Sequence, residues 1–250
     1  MSPSVTIAPQ IFTLSIESSG PVCSIALARE GNLVAELSFH EPYQHDSLLA
    51  EAVRTLLAAL SLRLEDVYAV CLSAGPGSFT GLRIGAAFVK AVCFDEVVID
   101  STSPFESSDE ERSPRLIAVP TLYAIAAEAA PDAALQYKET ICVVMLSHRN
   151  MAYRQRFSLD GVPLDDVTII EIENLANERS EREFYCGSAF EGREQEWNTH
   201  PRLSRSTAAM VSRVGWRMLR RGTFTDADEF IPYYIQEFIP RIAANEQPAS

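Results

Sequence analysis

The chain lacks several features that would assign it to a class at once. It has no CxxC pair, and its five cysteines (Cys23, Cys71, Cys93, Cys142, Cys186) are scattered among apolar runs. Reduced thiols in such runs pack as small hydrophobes, and the spacing offers neither a zinc ribbon nor a redox pair. No apolar run reaches membrane length and no leader pattern appears, so a soluble, cytoplasmic protein is expected. Histidine is sparse. His40 and His45 stand in an H-x4-H spacing across a proline, which does not place two imidazoles on one helix face, while His148 and His200 are isolated. Without Cys or Asp clusters beside them, no zinc or iron site is expected. Positive charge is also short, with 21 Lys and Arg against 34 Asp and Glu and a formal net charge of −13. Nucleic-acid binding rests on clustered cations that neutralise phosphates. Only the segment around Arg213 to Arg221 is locally basic, so the chain is a poor stand-alone nucleic-acid binder. In a nucleic-acid pathway it would act through a basic partner.

What is present is an α/β pattern. At 250 residues with 47% apolar content, one large domain or two lobes with a substantial core are both compatible. Ile11 to Ile16, Val22 to Ala28 and Leu33 to Phe39 read as an antiparallel meander. A helix follows over about 47–60, with Leu48, Leu49, Ala52, Val53, Leu56, Leu57 and Leu60 at helical spacing and His45 and Asp46 at its start. Then come a strand (Val67 to Leu72), a second helix (about 80–94), a Ser/Pro/acidic loop at 100–114, a short strand (Leu116 to Val119) and a helix to about Ala130 capped by Thr121. The second half offers strands near 141–147, 151–158, 167–172 and 184–187, a helix over 207–221, and an apolar tail, Phe230 to Phe238, expected to pack back on the body. The second half loosely echoes the first, which suits a duplicated α/β fold. The lobes divide as 1–120 and a smaller 121–250, with the tail 230–250 on the first.

The most informative stretch is GPGSFTGLRIG, residues 75–85, between a strand and a helix. A Gly-rich turn there lets backbone approach something closely and aims amide N–H groups along the helix axis. It is not a Walker A loop, because no lysine follows the last glycine. It is not a nucleophile elbow, because Pro76 and Thr80 flank Ser78 where glycines are needed. It is not a dinucleotide fingerprint, because its third glycine comes one residue late. A tight turn with glycines for close packing remains open beside a functional role. The ESSG turn, Glu17, Ser18, Ser19 and Gly20, reads as a solvated hairpin turn or as a degraded nucleotide loop. Asp165 with Asp166 and the 109–111 acidic run read as solvated faces. Both helices beside the motif carry more apolar residues than a one-sided stripe needs, which suits either an internal helix or a partner surface.

The string GPGSFTGLRIG resembles the signature of the TsaB (YeaZ) family. LSIESS, HDSLLAEAVRTLL, IAVPTLYAIA and PYYIQ are similar to further family segments, with Glu17 where Asp is usual and Gln236 where Arg is common. The likeness is strong over about 11–130 and thin beyond. It implies an actin-like (ASKHA) fold of two α/β lobes, each a mixed sheet flanked by helices, in a protein without catalytic residues of its own. It also implies pairing with a TsaD-like catalytic subunit and a TsaE-like ATPase, for transfer of threonylcarbamoyl to the adenosine beside the anticodon of tRNA. On that reading no cofactor is bound by this chain alone, ATP and metal belong to the partner subunits, tRNA is met only through the complex, and the isolated chain forms a homodimer. The expected partner interface is His45, Leu48, Leu49, Ala52, Leu56, Gly75, Gly77, Ser78, Phe79, Thr80, Gly81, Leu82, Arg83 and Gly85, with the glycines permitting close subunit approach. Competing readings are a stand-alone ASKHA ATPase or phosphotransferase, a glycoprotease-like metallopeptidase, and a bland globular protein.

Overall fold

A computed structural model describes residues 10–40, 45–93 and 113–235. Glu17 closes β1 (Phe12–Glu17), which pairs antiparallel with β2 (Cys23–Arg29), itself antiparallel to β3 (Asn32–Phe39). Helix α1 (His45–Ala59) leads to β4 (Val67–Ser73), which joins β1 in parallel, with Leu14 opposite Val70 and Ile16 opposite Leu72. Helix α2 (Phe79–Val92) precedes β5 (Arg115–Val119), parallel to β4. The first sheet therefore runs β3-β2-β1-β4-β5. After α3 (Thr121–Leu135) a second sheet forms from β6 (Thr140–Leu146), β7 (Met151–Ser158), β8 (Thr168–Glu171) and β9 (Glu183–Cys186), in the order β8-β7-β6-β9. Single-turn helices α4 (Ile172–Leu175) and α5 (Glu194–Trp197) cover its outer face, and α6 (Ala208–Arg220) ends the regular structure. In both sheets an antiparallel meander is extended by a parallel strand on the far side of its first strand. These are two α/β lobes, each a mixed sheet flanked by helices.

Strand alternation divides the core into layers. Leu14, Ile16, Val70 and Leu72 face α1 and α2, where Leu49, Val53, Leu56 and Val89 complete one cluster. Cys71, Ile117 and Val119 face the other way into a layer formed by α3 and α6, whose far side packs on Ile141, Val143, Phe157 and Phe184 of the second sheet. Beyond that sheet, Cys142, Val144 and Tyr185 pack on Leu175, Phe190 and Trp197. Although the sheets divide near residue 120, α6 returns to the first lobe. Its N-terminal amides are held there by the sheet itself: Ser24 Oγ accepts from Ala208 N at 2.8 Å and Glu36 Oε1 from Ala209 N at 2.9 Å, while Thr207 Oγ1 accepts from Met210 N at 3.4 Å.

Two expectations need adjusting. Helix α3 passes through Pro131 to Leu135, because Ala129 and Ala133 bury one continuous face across it. Thr121 is the first helical residue rather than the cap, which is Pro120. The acidic loop lies outside the described residues at positions 100–112, as do Phe94 and the tail from Gln236 onward. All five cysteines are buried and unpaired, and burial pushes thiols such as Cys71 and Cys142 up to about 12, leaving them protonated and unreactive.

Helix α6 lies close to β4 because Gly215 faces Cys71. A Cβ at 215 would fall inside contact distance of Cys71 Sγ and stand 2.8 Å from its Cβ. Gly215→Ala gains about 1 kcal/mol of helix propensity, yet overpacking costs about 1–3 kcal/mol. We therefore expect Gly215→Ala to lower the urea midpoint and Cys71→Ala in the same chain to restore part of the loss. A midpoint raised by the single change would refute this close packing.

Candidate functional site

The loop from Gly75 to Ser78 leaves the end of β4 and turns into α2, and its glycines, with Gly85 of α2, meet the β1–β2 turn and the C-terminal segment of the same chain. At Gly75 (φ +103°) a Cβ would stand 2.7 Å from the carbonyl oxygen of Tyr233. At Gly77 it would collide with the carbonyl oxygen of Ser19, and at Gly85 it would lie 2.5 Å from Ser18 Oγ. The loop is thus seated on the β1–β2 turn, with the C-terminal segment laid against its other side. Tyr233 N donates to Ala74 O at 2.7 Å, and the Tyr234 ring lies 5.1 Å from that of Phe79.

The seat is polar and several of its backbone amides are committed. Ser78 N donates to Ser19 O at 2.7 Å, Ser18 N to Ser73 Oγ at 3.3 Å, and Thr121 N to Gly75 O at 3.0 Å. Ser78 caps α2, its Oγ accepting from Gly81 N at 3.3 Å. A relay runs through the middle: Gly75 N donates to Thr121 Oγ1 (3.2 Å), Thr121 Oγ1 to Ser19 Oγ (3.3 Å), and Ser19 Oγ to Glu17 Oε1 (2.6 Å), which also accepts from Ser19 N at 2.6 Å. Such chains polarise one another and fix a single arrangement.

Glu17 and Ser18 are fully buried and Ser19 is 2% exposed. The expectation of a solvated hairpin turn is therefore overturned, because the glycine loop and α2 close over the turn. Burial pushes the Glu17 carboxyl above its usual value of 4.5, against the lowering effect of the hydrogen bonds from the Ser19 hydroxyl and amide. Glu17 Oε2 and Ser206 Oγ are both left without a formed partner.

A phosphate cradle needs free amide donors, and those of Ser18, Ser19, Gly75 and Ser78 are already spent inside the protein. The Ser19 carbonyl occupies the space that Gly77 opens.

The positions expected at a partner interface separate by depth. Leu49, Ala52, Leu56 and Leu82 are buried in the chain's own core, and Gly75, Gly81 and Gly85 are buried as well. Leu48, Gly77 and Phe79 are half-buried, while Ser78, Thr80 and Arg83 are exposed, with Ala87 and Ala91 continuing the outward face of α2. Arg83 sets its guanidinium 5.2 Å from the Phe79 ring centre. His45 opens α1, but its side chain lies outside the described residues. Among the described residues no three His, Cys, Asp or Glu side chains gather as a metal site, and no helix is long and apolar enough to cross a membrane. Ser73, Thr121, Ser206 and Tyr233 belong to the seat; Thr121 lies in the IAVPTLYAIA segment and Tyr233 in PYYIQ, while nothing near Ser73 or Ser206 in sequence marks them for it.

Comparison with known proteins places this site in context. The family model for TsaD, tRNA N6-adenosine threonylcarbamoyltransferase, matches residues 41–96, the stretch that carries α1, β4, the glycine loop and α2. The chain is 30% identical over 95 residues to the tRNA threonylcarbamoyladenosine biosynthesis protein TsaB of Bacillus subtilis, covering 38% of this chain and 42% of that protein. It is 32% identical over 79 residues to TsaB of Escherichia coli, covering 32% and 34%. The matches thus span well under half of these curated relatives. Among solved structures, YeaZ from Pseudomonas aeruginosa superposes with a TM-score of 0.64 at 22% identity, over 90% of this chain and all of the other. A second protein with similarity to the peptidase YeaZ from that organism gives 0.67, also at 22%, over 92% of this chain. At that identity the superpositions establish the shared fold.

The raised carboxyl of Glu17 has a definite consequence for stability. A folded-state value above the unfolded one means the fold prefers the protonated acid. Its contribution is complete below about 4.5 and is lost as pH rises through the folded value. We expect Glu17→Gln, which stays neutral, to flatten that decline and to be more stable relative to wild type at neutral pH than at pH 4. Parallel stability–pH curves for the two proteins would contradict the burial of an ionisable group here.

Proposed function

We infer that this chain, a member of the TsaB (YeaZ) family, is the non-catalytic subunit that binds and activates a TsaD-like enzyme in transferring threonylcarbamoyl to the adenosine next to the anticodon of tRNA. One observation carries this reading. The loop that gives the family its signature is satisfied from within by Ser19, Thr121 and Tyr233, so its function lies in the shape it holds rather than in a ligand it grips. The match of a TsaD family model to residues 41–96 supports the same conclusion, because it relates this helix pair to the enzyme it would join.

The docking surface follows from exposure. A partner meets the outward face of α2, Thr80, Arg83, Ala87 and Ala91, flanked by Ser78 and the exposed Tyr233. The buried leucines and glycines hold that face in position. Small residues at 87 and 91 let a facing helix come close. Binding raises the population of the partner's active conformation by its greater affinity for it. In the absence of the partner the same face pairs with a second copy of this chain. Nucleotide and metal reside on the TsaD-like and TsaE-like subunits.

In extracts or co-expression, Arg83→Glu combined with Ala87→Glu should weaken recovery of the TsaD-like subunit about tenfold or more while leaving thermal stability unchanged. Cells lacking the gene should lose threonylcarbamoyladenosine from tRNA, as read by nucleoside mass spectrometry. Full complex recovery by the variant would remove the docking face, and normal modification in the deletion strain would remove the function. Titrating ATP at millimolar concentration into the isolated chain should release no saturable heat; a clear binding isotherm would favour a nucleotide-dependent enzyme.

A further inference from the structure

We propose that the last turn of α6 is a contact surface for the phosphate backbone of RNA, which extends the function inferred above and rests on it. Arg217, Arg220 and Arg221 are all exposed there. Their spacing, i, i+3 and i+4, puts them on one side of the helix within about one turn.

Most arginines of the second half are occupied. Arg213, one turn earlier, pairs with Glu128; Arg202 pairs with Asp132, and Arg205 with Glu191 at 2.5 Å. Among the described residues no carboxylate pairs with Arg217, Arg220 or Arg221. They are not needed as caps either. Gly222 (φ +68°) ends the helix in a closed turn, with Thr223 N donating to Met218 O at 3.0 Å and Gly222 N to Leu219 O at 2.9 Å. The Met218 and Leu219 carbonyls are thus satisfied by backbone, and among the described residues the three guanidinium groups have no carboxylate partner. Three residues beyond Arg221, Phe224 holds the Arg115 guanidinium 3.2 Å from its ring centre, which adds a fourth positive charge.

The chemistry of the patch distinguishes phosphate from protein as its partner. Protein interfaces concentrate their energy in apolar and aromatic anchors, and none of the large exposed hydrophobic side chains lies on α6. Trp216 is turned away, its ring packed on Gly31. A purely guanidinium surface suits phosphate oxygens, which it can meet in forked pairs. The net charge of −13 does not cancel it, because at about 0.1 M salt charges are screened beyond about 10 Å. The patch also lies at the end of α6 remote from the glycine loop, about 20 Å along a helix of 13 residues. RNA and the catalytic subunit can therefore be held at once.

The test uses the full chain assembled with its TsaD-like subunit, an unmodified tRNA transcript, and fluorescence anisotropy over a salt series. Changing Arg217, Arg220 and Arg221 together to Gln should weaken tRNA binding on the order of tenfold and reduce the slope of log affinity against log salt by roughly two to three. Complex formation should be unaffected. The matching triple Lys variant should keep most of both, because phosphate accepts a point charge. Unchanged affinity and slope in the Gln variant would overturn the proposal. So would a poly-glutamate peptide that binds the wild type as tightly as tRNA does and is lost in the variant, since that assigns the patch to an acidic protein. If the wild-type chain fails to assemble with the catalytic subunit, the function inferred above fails by itself. The same titration on the isolated chain then decides: tRNA binding that the Gln variant loses sustains the patch, and no binding refutes it.

Discussion

The approach of Gly77 to the Ser19 carbonyl is the contact on which the rest of the site depends. No side chain larger than hydrogen can stand there, so the loop after β4 can settle onto the β1–β2 turn only with glycine at 77. Once seated, Ser78 reaches Ser19, Gly75 reaches Thr121, and the Tyr233 backbone closes over Ala74. Parts of the chain more than 200 residues apart are thereby tied to one loop. The cost is a carboxyl, Glu17, carried into the interior, which the fold tolerates by directing two Ser19 donors at one of its oxygens.

The same arrangement joins the β1–β2 turn to the loop after β4. Both lie at one end of the first sheet, where β1 and β4 run parallel. Here they touch, and the amides that could have held phosphate bond to each other's carbonyls and hydroxyls. A rigid, self-satisfied surface is well suited to presenting α2 to another protein, since little ordering entropy remains to be lost on docking. The duplicated second sheet supplies a base: α3 packs on it, α6 packs on the first sheet, and the two helices meet between them. Helix α6 then spans the first lobe from the polar seat to the arginine turn and separates two surfaces of different chemistry.

Much of this was legible in advance where the information is local. The meander, the helices at 45–59 and 79–92, the strand at 67–73 and the helix near 208–220 follow from apolar periodicity and turn residues a few positions apart. Pro131 misled because a proline argues against helix locally, while Ala129 and Ala133 are buried by contacts that local pattern does not contain. Leu56 and Leu82 read equally well as core or as interface, because an apolar side chain records only that it is covered, not by what.

The sequence by itself determined that residues 75–85 form a strand-to-helix turn, that no generic nucleotide or hydrolase template is met there, and that the surface is acidic with one basic helix. Only the tertiary structure decided what the loop glycines lie against, that Glu17 is buried, and that among the described residues Arg213 has a carboxylate partner while Arg217, Arg220 and Arg221 have none. The physical reason is range. Turn and helix chemistry is settled among neighbours along the chain, whereas close approach, desolvation and ion pairing depend on groups such as Ser19, Thr121, Glu128 and Tyr233, which folding alone brings into place.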